Sequence, residues 1–287
     1  VSWASPSIED NCPGSTFSSD HQPGDLFPVG TTQINYLPTD TNGNTSAATF
    51  DLTVVDSEMP VVSGIPNTVT LPNDSGSCGA THSWATPTVT DNCGNPVMTS
   101  SHNSGDQFPI GSTTVSIHID DGHGNTLDFT FDVIIFDTEL PVISGMPVSM
   151  TLSNSPGLCS QSIDWALPTV SDNCSGSELV GSALSGSSFP VGDTEVIYTA
   201  NDIHGNIIQE SFIISVIDDE LPVLIGIPSN MTVDSTPDVC GSVVAWSDPQ
   251  ASDNCGTSQF TTSHAPGSTF DVGTTTVTCE VTDVNGN

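Results

Sequence analysis

Three acidic motifs carry the side chains whose types and spacing suit chemistry. The first is an Asp-Asn pair ahead of a cysteine: Asp10-Asn11, Asp91-Asn92, Asp172-Asn173 and Asp253-Asn254. The second is an aspartate with an asparagine four residues on and glycine between them. It gives Asp40 and Asn44, Asp121 and Asn125 (with Asp120 alongside), Asp202 and Asn206, and Asp283. The third is Asp-x-Glu: Asp56 and Glu58, Asp137 and Glu139, Asp218 and Glu220. Carboxylates and amide carbonyls are hard oxygen donors. Six to eight such oxygens make a calcium site, whereas magnesium keeps its water and demands tighter geometry. Calcium is therefore the ion expected on these residues. The competing reading is local: Asp91 and Asn92 cap their own loop, the Gly-Asn pair is a turn, and Asp-x-Glu is a solvated linker.

Other chemistry finds little support. Histidines recur at His21, His102 and His264, but the third copy has Ala183. His123 and His204 share a phase with Asn42 and Asn285, which favours a turn role. Serines are abundant, yet none sits in a nucleophile-elbow glycine pattern with a nearby His and Asp. Paired carboxylates exist, but a glycosidase needs a cleft that small repeated sandwiches do not offer. The expectation is that the chain is not an enzyme.

Charge narrows the partners. The 287 residues include 34 Asp plus Glu and no Lys or Arg, a formal net charge of −34. Nothing is available to neutralise phosphates, so nucleic acid and anionic membranes are excluded as partners. The chain repels itself unless cations screen or bind it. Neighbouring repeats or copies of the same protein, a glycan or a surface protein are the partners left.

What positions the acidic motifs is a repeat. Tryptophan falls at Trp3, Trp84, Trp165 and Trp246, each step being 81 residues. A fixed period of this kind sets the architecture before any strand is assigned. It divides the chain at 1–56, 57–137, 138–218 and 219–287, two full beads and two partial ones. The first lacks its opening strands and the fourth its last strand. Short runs with period-two alternation, such as Val115, Ile117, Ile119 and Phe129, Phe131, Val133, Ile135, predict an all-β fold of tandem β-sandwiches. Eight cysteines at regular spacing imply an oxidising, extracellular compartment. Cys78, Cys159 and Cys240 each precede a second cysteine by 15 residues, and the expectation is pairing within repeats: Cys78 with Cys93, Cys159 with Cys174, Cys240 with Cys255. Cys12 then needs an upstream partner, and Cys279 is the odd one out in a core position. The tryptophans are expected in the core, against the disulfides. Asn44, Asn73 and Asn230 head glycosylation sequons.

Strand direction makes the acidic motifs meet. If the chain runs up from Asp56 and Glu58 and returns through Cys78–Ala85, the Asp91-Asn92 loop lies back at the linker end. One more excursion brings the Asp120–Asn125 turn to the same place. Each bead should span about 35–45 Å, from strands of about ten residues at ~3.3 Å each.

The ordered set is Asp-x-Glu-x-Pro, Gly-x-Cys, Trp with a following Pro, Asp-Asn-Cys, Phe-Pro-Val-Gly and Asp-x-x-Gly-Asn. It resembles the hyalin repeat, or HYR, family, over nearly the whole chain. The resemblance implies immunoglobulin-like modules of extracellular matrix or surface adhesins, often in long arrays such as bacterial gliding adhesins. The chain departs from it in lacking a second cysteine pair per repeat: Ile65-Pro66 and Ile227-Pro228 stand where Cys-Pro is common. The reading is a secreted, cell-surface shaft or filament, calcium-stiffened at its joints. Its rivals are an adhesin gripping ligand through a divergent loop, with Glu178–Ser188 differing most, and a fibre completed by strands from other copies. One consequence is directly checkable. Trypsin should leave the folded and the unfolded chain uncut, while a protease cutting after acidic residues fragments it. Tryptic fragments on a gel would show that the secreted chain is not this one.

Overall fold

The computed structural model describes residues 1–287, Ser258 by its backbone alone. Every regular element among the described residues is a strand. The chain forms two compact units, Val1–Asp137 and Thr138–Asn287.

In the first unit, the strand Gly111–Asp120 pairs antiparallel with Thr126–Phe136, Asp120 opposite Thr126. Val97–Ser100 lies on its other side, Val97 opposite Asp120. Val69–Pro72 runs parallel to Thr126–Phe136, Pro72 opposite Phe136. Two short ladders face this sheet: Val61–Ser63 with Thr88–Thr90, and Gly79–Thr81 with Gln107–Pro109. Successive side chains of a strand point to opposite faces. The inward set Val115, Ile117, Ile119, Phe131, Val133 and Ile135 is therefore buried together, with Phe108 and Ala80 closing the layer. The 81-residue repeat before it shows the same hairpin as Gly30–Thr39 with Ala48–Val54, around Ile34, Tyr36 and Leu52.

The second unit repeats the plan. Met150–Ser153, Ile207–Ile217, Gly192–Asn201 and Glu178–Gly181 form its four-stranded sheet. Val196, Tyr198, Ala200, Phe212, Ile214 and Val216 fill its core with Phe189. In the following repeat, Thr257–Thr262 pairs with Cys279–Asp283 and Gly241–Val244 with Ser268–Asp271. Residues 231–234, the counterpart of Met150–Ser153, form no strand.

Three expectations change. Trp84 lies outside the strand that Cys78–Ala85 was expected to form, since only Gly79–Thr81 finds a partner. The tryptophans are half-buried and meet phenylalanine rings: Phe27 and Phe50, Phe108 and Phe131, Phe189 and Phe212, and Phe270. Trp3 and Trp165 also donate their indole N–H to Tyr36 and Tyr198 at 2.6 and 2.8 Å. The recurring histidines, expected in turns or at the surface, are half-buried at their turns. His21, His102 and His264 lie over Phe27, Phe108 and Phe270 at 5.1–5.4 Å. Of the sequon asparagines, Asn73 is buried and spends its amide on Ser77, whereas Asn230 is exposed.

The third change is the cysteine pairing. Cys93 and Cys240 are thiols, and Cys159 bonds Cys255, 96 residues on, not Cys174. Neither Cys78 nor Cys174 is a free thiol, each being in a disulfide. The reason is topological. Val61 opposes Thr90, so Cys93 follows at the end where the chain enters the bead. Pro72 opposes Phe136, so the Asn73–Cys78 turn sits at the end where the chain leaves. The two cysteines of one repeat are a bead length apart and cannot meet. As a check on the core, Phe108→Ala should cost its bead about 3–5 kcal/mol. Outward-facing Ser116→Ala should stay within about 0.5 kcal/mol. Calorimetry of the whole chain showing equal effects would refute this layering.

Candidate metal centre

Each acidic loop is first of all closed on itself. Asp10, Asp91, Asp172 and Asp253 all accept the amide N–H of the cysteine two residues on, at 2.6–2.9 Å. This turn uses one carboxylate oxygen and leaves the other. The Asp–Asn loops use both. Asp121 takes the His123 and Asn125 N–H groups on Oδ1 and the Asn125 side-chain amide on Oδ2, at 2.6–3.0 Å. Asp40, Asp202 and Asp283 are held in the same way by Asn44, Asn206 and Asn287.

These bonds favour the charged carboxylate. Burial alone raises the carboxyl of Asp121, Asp202 and Asp283, but the amides of their loops outweigh it and hold all three below the ordinary value of 3.8. For Asp40 the Asn44 amides lead, with the same result.

The loop asparagine then reaches the linker ahead of its bead. Asn125 donates to the Asp56 carbonyl at 3.5 Å, and Asn287 to the Asp218 carbonyl at 3.0 Å. This latch brings the linker carboxylate inside. Asp56 is 7% exposed and Asp218 8%. The Oδ1 atom of each accepts the N–H of Glu58 or Glu220. The Oδ2 atom of each is buried and accepts no hydrogen bond.

Around Asp56 stand Asp91 with Cys93, and Asp121 with His123; within each of these two groups, including Asp56, the ligand atoms lie within 4.8 Å of one another. His123 Nδ1 is 3.8 Å from Asp56 Oδ2. Burial, followed by the charge of Asp56, the hydrogen bond of the thiol to that carboxylate, and the charges of Asp91 and Glu58, pushes the Cys93 thiol up. Around Asp218, a carboxylate oxygen of Asp253 falls within the same 4.8 Å. Asp253 Oδ2 and Asn254 Oδ1 are also buried without a hydrogen bond, and no histidine stands by because Asn285 takes that phase.

The other motif residues lie elsewhere. Asp120 caps its own turn through Gly122 N–H. Glu58 and Asn92 are exposed, as are Asp10, Asn11 and Asn44. Glu220 turns toward its preceding repeat and accepts Gly157 N–H at 2.7 Å. Asp137 is buried at the end of the first unit, followed by half-buried Glu139. Asp172 with Asn173, and Asp202 with Asn206, occupy the two loops at the entry end of the second unit's sheet. Sequence reasoning missed Asn287 as a latch and His123 as a neighbour of Asp56. Both were visible as phase equivalents of residues already chosen.

Comparison with known proteins now decides the family. The HYR domain matches residues 1–54, 55–135, 136–216 and 217–287. The chain belongs to the HYR domain family. It is 38% identical to hyalin of Lytechinus variegatus over 303 aligned positions, covering 100% of this chain and 56% of hyalin. Against hyalin of Strongylocentrotus purpuratus the identity is 35%, over 100% of this chain and 25% of that protein. The chain thus spans about half, or a quarter, of the hyalins it resembles. Among solved structures, a protocadherin gammaB7 cis-dimer matches at TM-score 0.32 and 13% identity over 85% of this chain and 76% of that one. At that distance it carries no argument. The HYR match and the hyalin relatives support an extracellular, adhesion-type repeat protein.

The lowered carboxyls fix the sign of the acid response. A carboxyl whose folded pKa lies below its unfolded one adds stability that is complete above the unfolded value and is lost as pH falls through the folded one. Melting temperature should therefore hold down to about pH 5 and fall below about pH 4. Asn206→Ala removes the leading hydrogen bond on Asp202 and should flatten that fall. An identical acid limb in calorimetry would remove Asp202 from the account.

Proposed function

We propose that this chain is a non-enzymatic, secreted or cell-surface shaft of HYR beads, bounded at 1–56, 57–137, 138–218 and 219–287, whose joints are stiffened by calcium. Its partners are neighbouring repeats or copies. One observation carries the reading. Asp218 and Asp253 each bury a carboxylate oxygen that accepts no hydrogen bond and lie side by side, and Asp56 buries one beside Asp91 with only the Cys93 thiol and His123 near it. A buried, unpaired charge is among the most costly features a fold can hold. Lys and Arg are absent from the chain, so no protein cation of that kind can offset it. An unsatisfied buried group in a native fold points to an ion or water that belongs there.

The donor set fits calcium. Asp218 and Asp253 with the Asn254 carbonyl supply hard oxygens at one joint, and Asp56, Asp91 and Asp121 at the other. Cysteine sulfur is a poor partner for such an ion, and Cys255 is already spent in a disulfide. Bound calcium supplies positive charge at the joint. The chain's own residues hold the linker there, through the Asn125 and Asn287 latches, and keep the carboxylates at the joint. A joint fixed in this way bends less, which suits a shaft carrying load.

Isothermal titration with calcium should show binding that Asp218→Asn together with Asp253→Asn weakens at least tenfold. At a hundredfold excess over Kd, calcium adds about 2.7 kcal/mol to the bead that holds it. Melting temperature should rise by more than about 5 °C. Equal melts in calcium and in chelator would end the calcium reading and leave the HYR assignment standing.

A further inference from the structure

The bond between Cys159 and Cys255 joins two different repeats of the second unit, with Cα atoms 4.8 Å apart. Cys159 closes the turn that leaves one bead. Ser155 N–H bonds the Ser160 carbonyl, Leu158 N–H bonds Ser155, and Gly157 holds the left-handed position at φ 74°. Cys255 sits in the Asp-Asn-Cys loop that opens the next bead. Asn254 ties that loop to the Leu158 carbonyl at 3.2 Å.

The same turn is built once more around Cys240. Thr236 N–H bonds the Gly241 carbonyl and Val239 N–H bonds Thr236. Asp238 takes the left-handed position at φ 64°, the one non-glycine residue with positive φ among the described residues. Val272 N–H meets the Cys240 carbonyl as Val191 N–H meets that of Cys159. Gly241 is packed so that an added Cβ would meet the Phe270 carbonyl at 2.6 Å, which pins the strand directly after the cysteine. Cys240 is an exposed thiol. The receiving loop is also built again: Cys12 and Cys93 are thiols whose N–H groups bond Asp10 and Asp91 as Cys255 bonds Asp253.

We propose that Cys240 is the outgoing half of a covalent staple between beads, and that its partner is the Asp-Asn-Cys cysteine of a following HYR repeat. That repeat comes from the same polypeptide or from a second copy of this chain. The two thiols give up two protons and two electrons as the S–S bond forms. A small-molecule disulfide such as oxidised glutathione accepts them by exchange and leaves as two thiols. The staple does not depend on calcium, since the turn and the loop are held by backbone bonds.

The test extends the chain with its own residues 207–218 and then 138–218. This continues the 81-residue period and sets a copied Asp-Asn-Cys cysteine 96 residues after Cys240, the separation of the observed pair. The extended chain is refolded in a glutathione redox buffer, alkylated, cut with an acid-specific protease and mapped by mass spectrometry. Cys240 should be joined to the copied cysteine in a monomer, which assigns the same polypeptide as the source. In parallel, the unextended chain is oxidised at high concentration. Dimers joining Cys240 to Cys12 or Cys93 of a second copy, abolished by C240S, would assign that source. Cys240 recovered as an alkylated thiol, or as a glutathione adduct, in both arms would overturn the proposal. So would a bond to Cys279.

Discussion

Everything at the joints follows from one constraint: a chain with no Lys or Arg has only N–H, O–H and S–H donors, a few histidines, water or a metal with which to satisfy a buried carboxylate. The loops show the N–H solution. Asp121, Asp202 and Asp283 are buried, yet each is wrapped by amides from its own loop and held ionised. The linkers show where that solution ends. Asp56 and Asp218 have one oxygen capped by the backbone two residues on, and no amide reaches the other. A carboxylate that the fold buries and leaves half-satisfied is the feature on which the proposed calcium reading rests. The loops and the linkers thus divide the work. The first set is closed by amides of its own loop, and the second keeps an oxygen that no amide reaches.

The latch explains why the open oxygens face one another. Asn125 and Asn287 each spend one N–H on their loop aspartate and reach the linker carbonyl of the preceding repeat. That contact holds the linker beside the Asp-Asn-Cys loop, where two carboxylates come together with no Lys or Arg between them, and with His123 beside Asp56 only. The same meeting places the exit turn of one bead beside the entry loop of the next, which is where Cys159 and Cys255 bond. Latch and disulfide are two consequences of one head-to-tail arrangement.

Much of this was readable before any coordinates. The Trp period divided the chain. Alternation at Val115, Ile117 and Ile119 marked the inward face, which is buried. Strand direction alone brought the Asp56, Asp91 and Asp121 segments to one end. What failed was the cysteine pairing, and it failed for want of the same reasoning. Fifteen residues of separation looked like a small loop. Yet strand direction had already put the Asn73–Cys78 turn at the far end from Cys93. Spacing along a chain says nothing about which end of a bead a residue occupies, and only the alternation of strands does. The role of each aspartate was also illegible, because amide bonding inside a four-residue loop depends on backbone positions that residue types do not specify.

The constant period is the last thing the joints account for. The latch joins residues 69 apart in both units, and the disulfide joins residues 96 apart. Both connections begin in one repeat and end in the next. An insertion between Asp56 and Asn125, or between Cys159 and Cys255, has to be absorbed without moving either anchor by more than a hydrogen bond or an S–S bond tolerates. A lone sandwich can lengthen any exposed loop at a modest entropic cost. A sandwich tied to its neighbour at both the exit turn and the entry loop has fewer loops free to grow. The segment with the greatest change of residues, Glu178–Ser188, lies between those anchors and still keeps its length. Regular spacing is then a by-product of how one bead is fastened to the next, before any advantage of a uniform shaft is invoked.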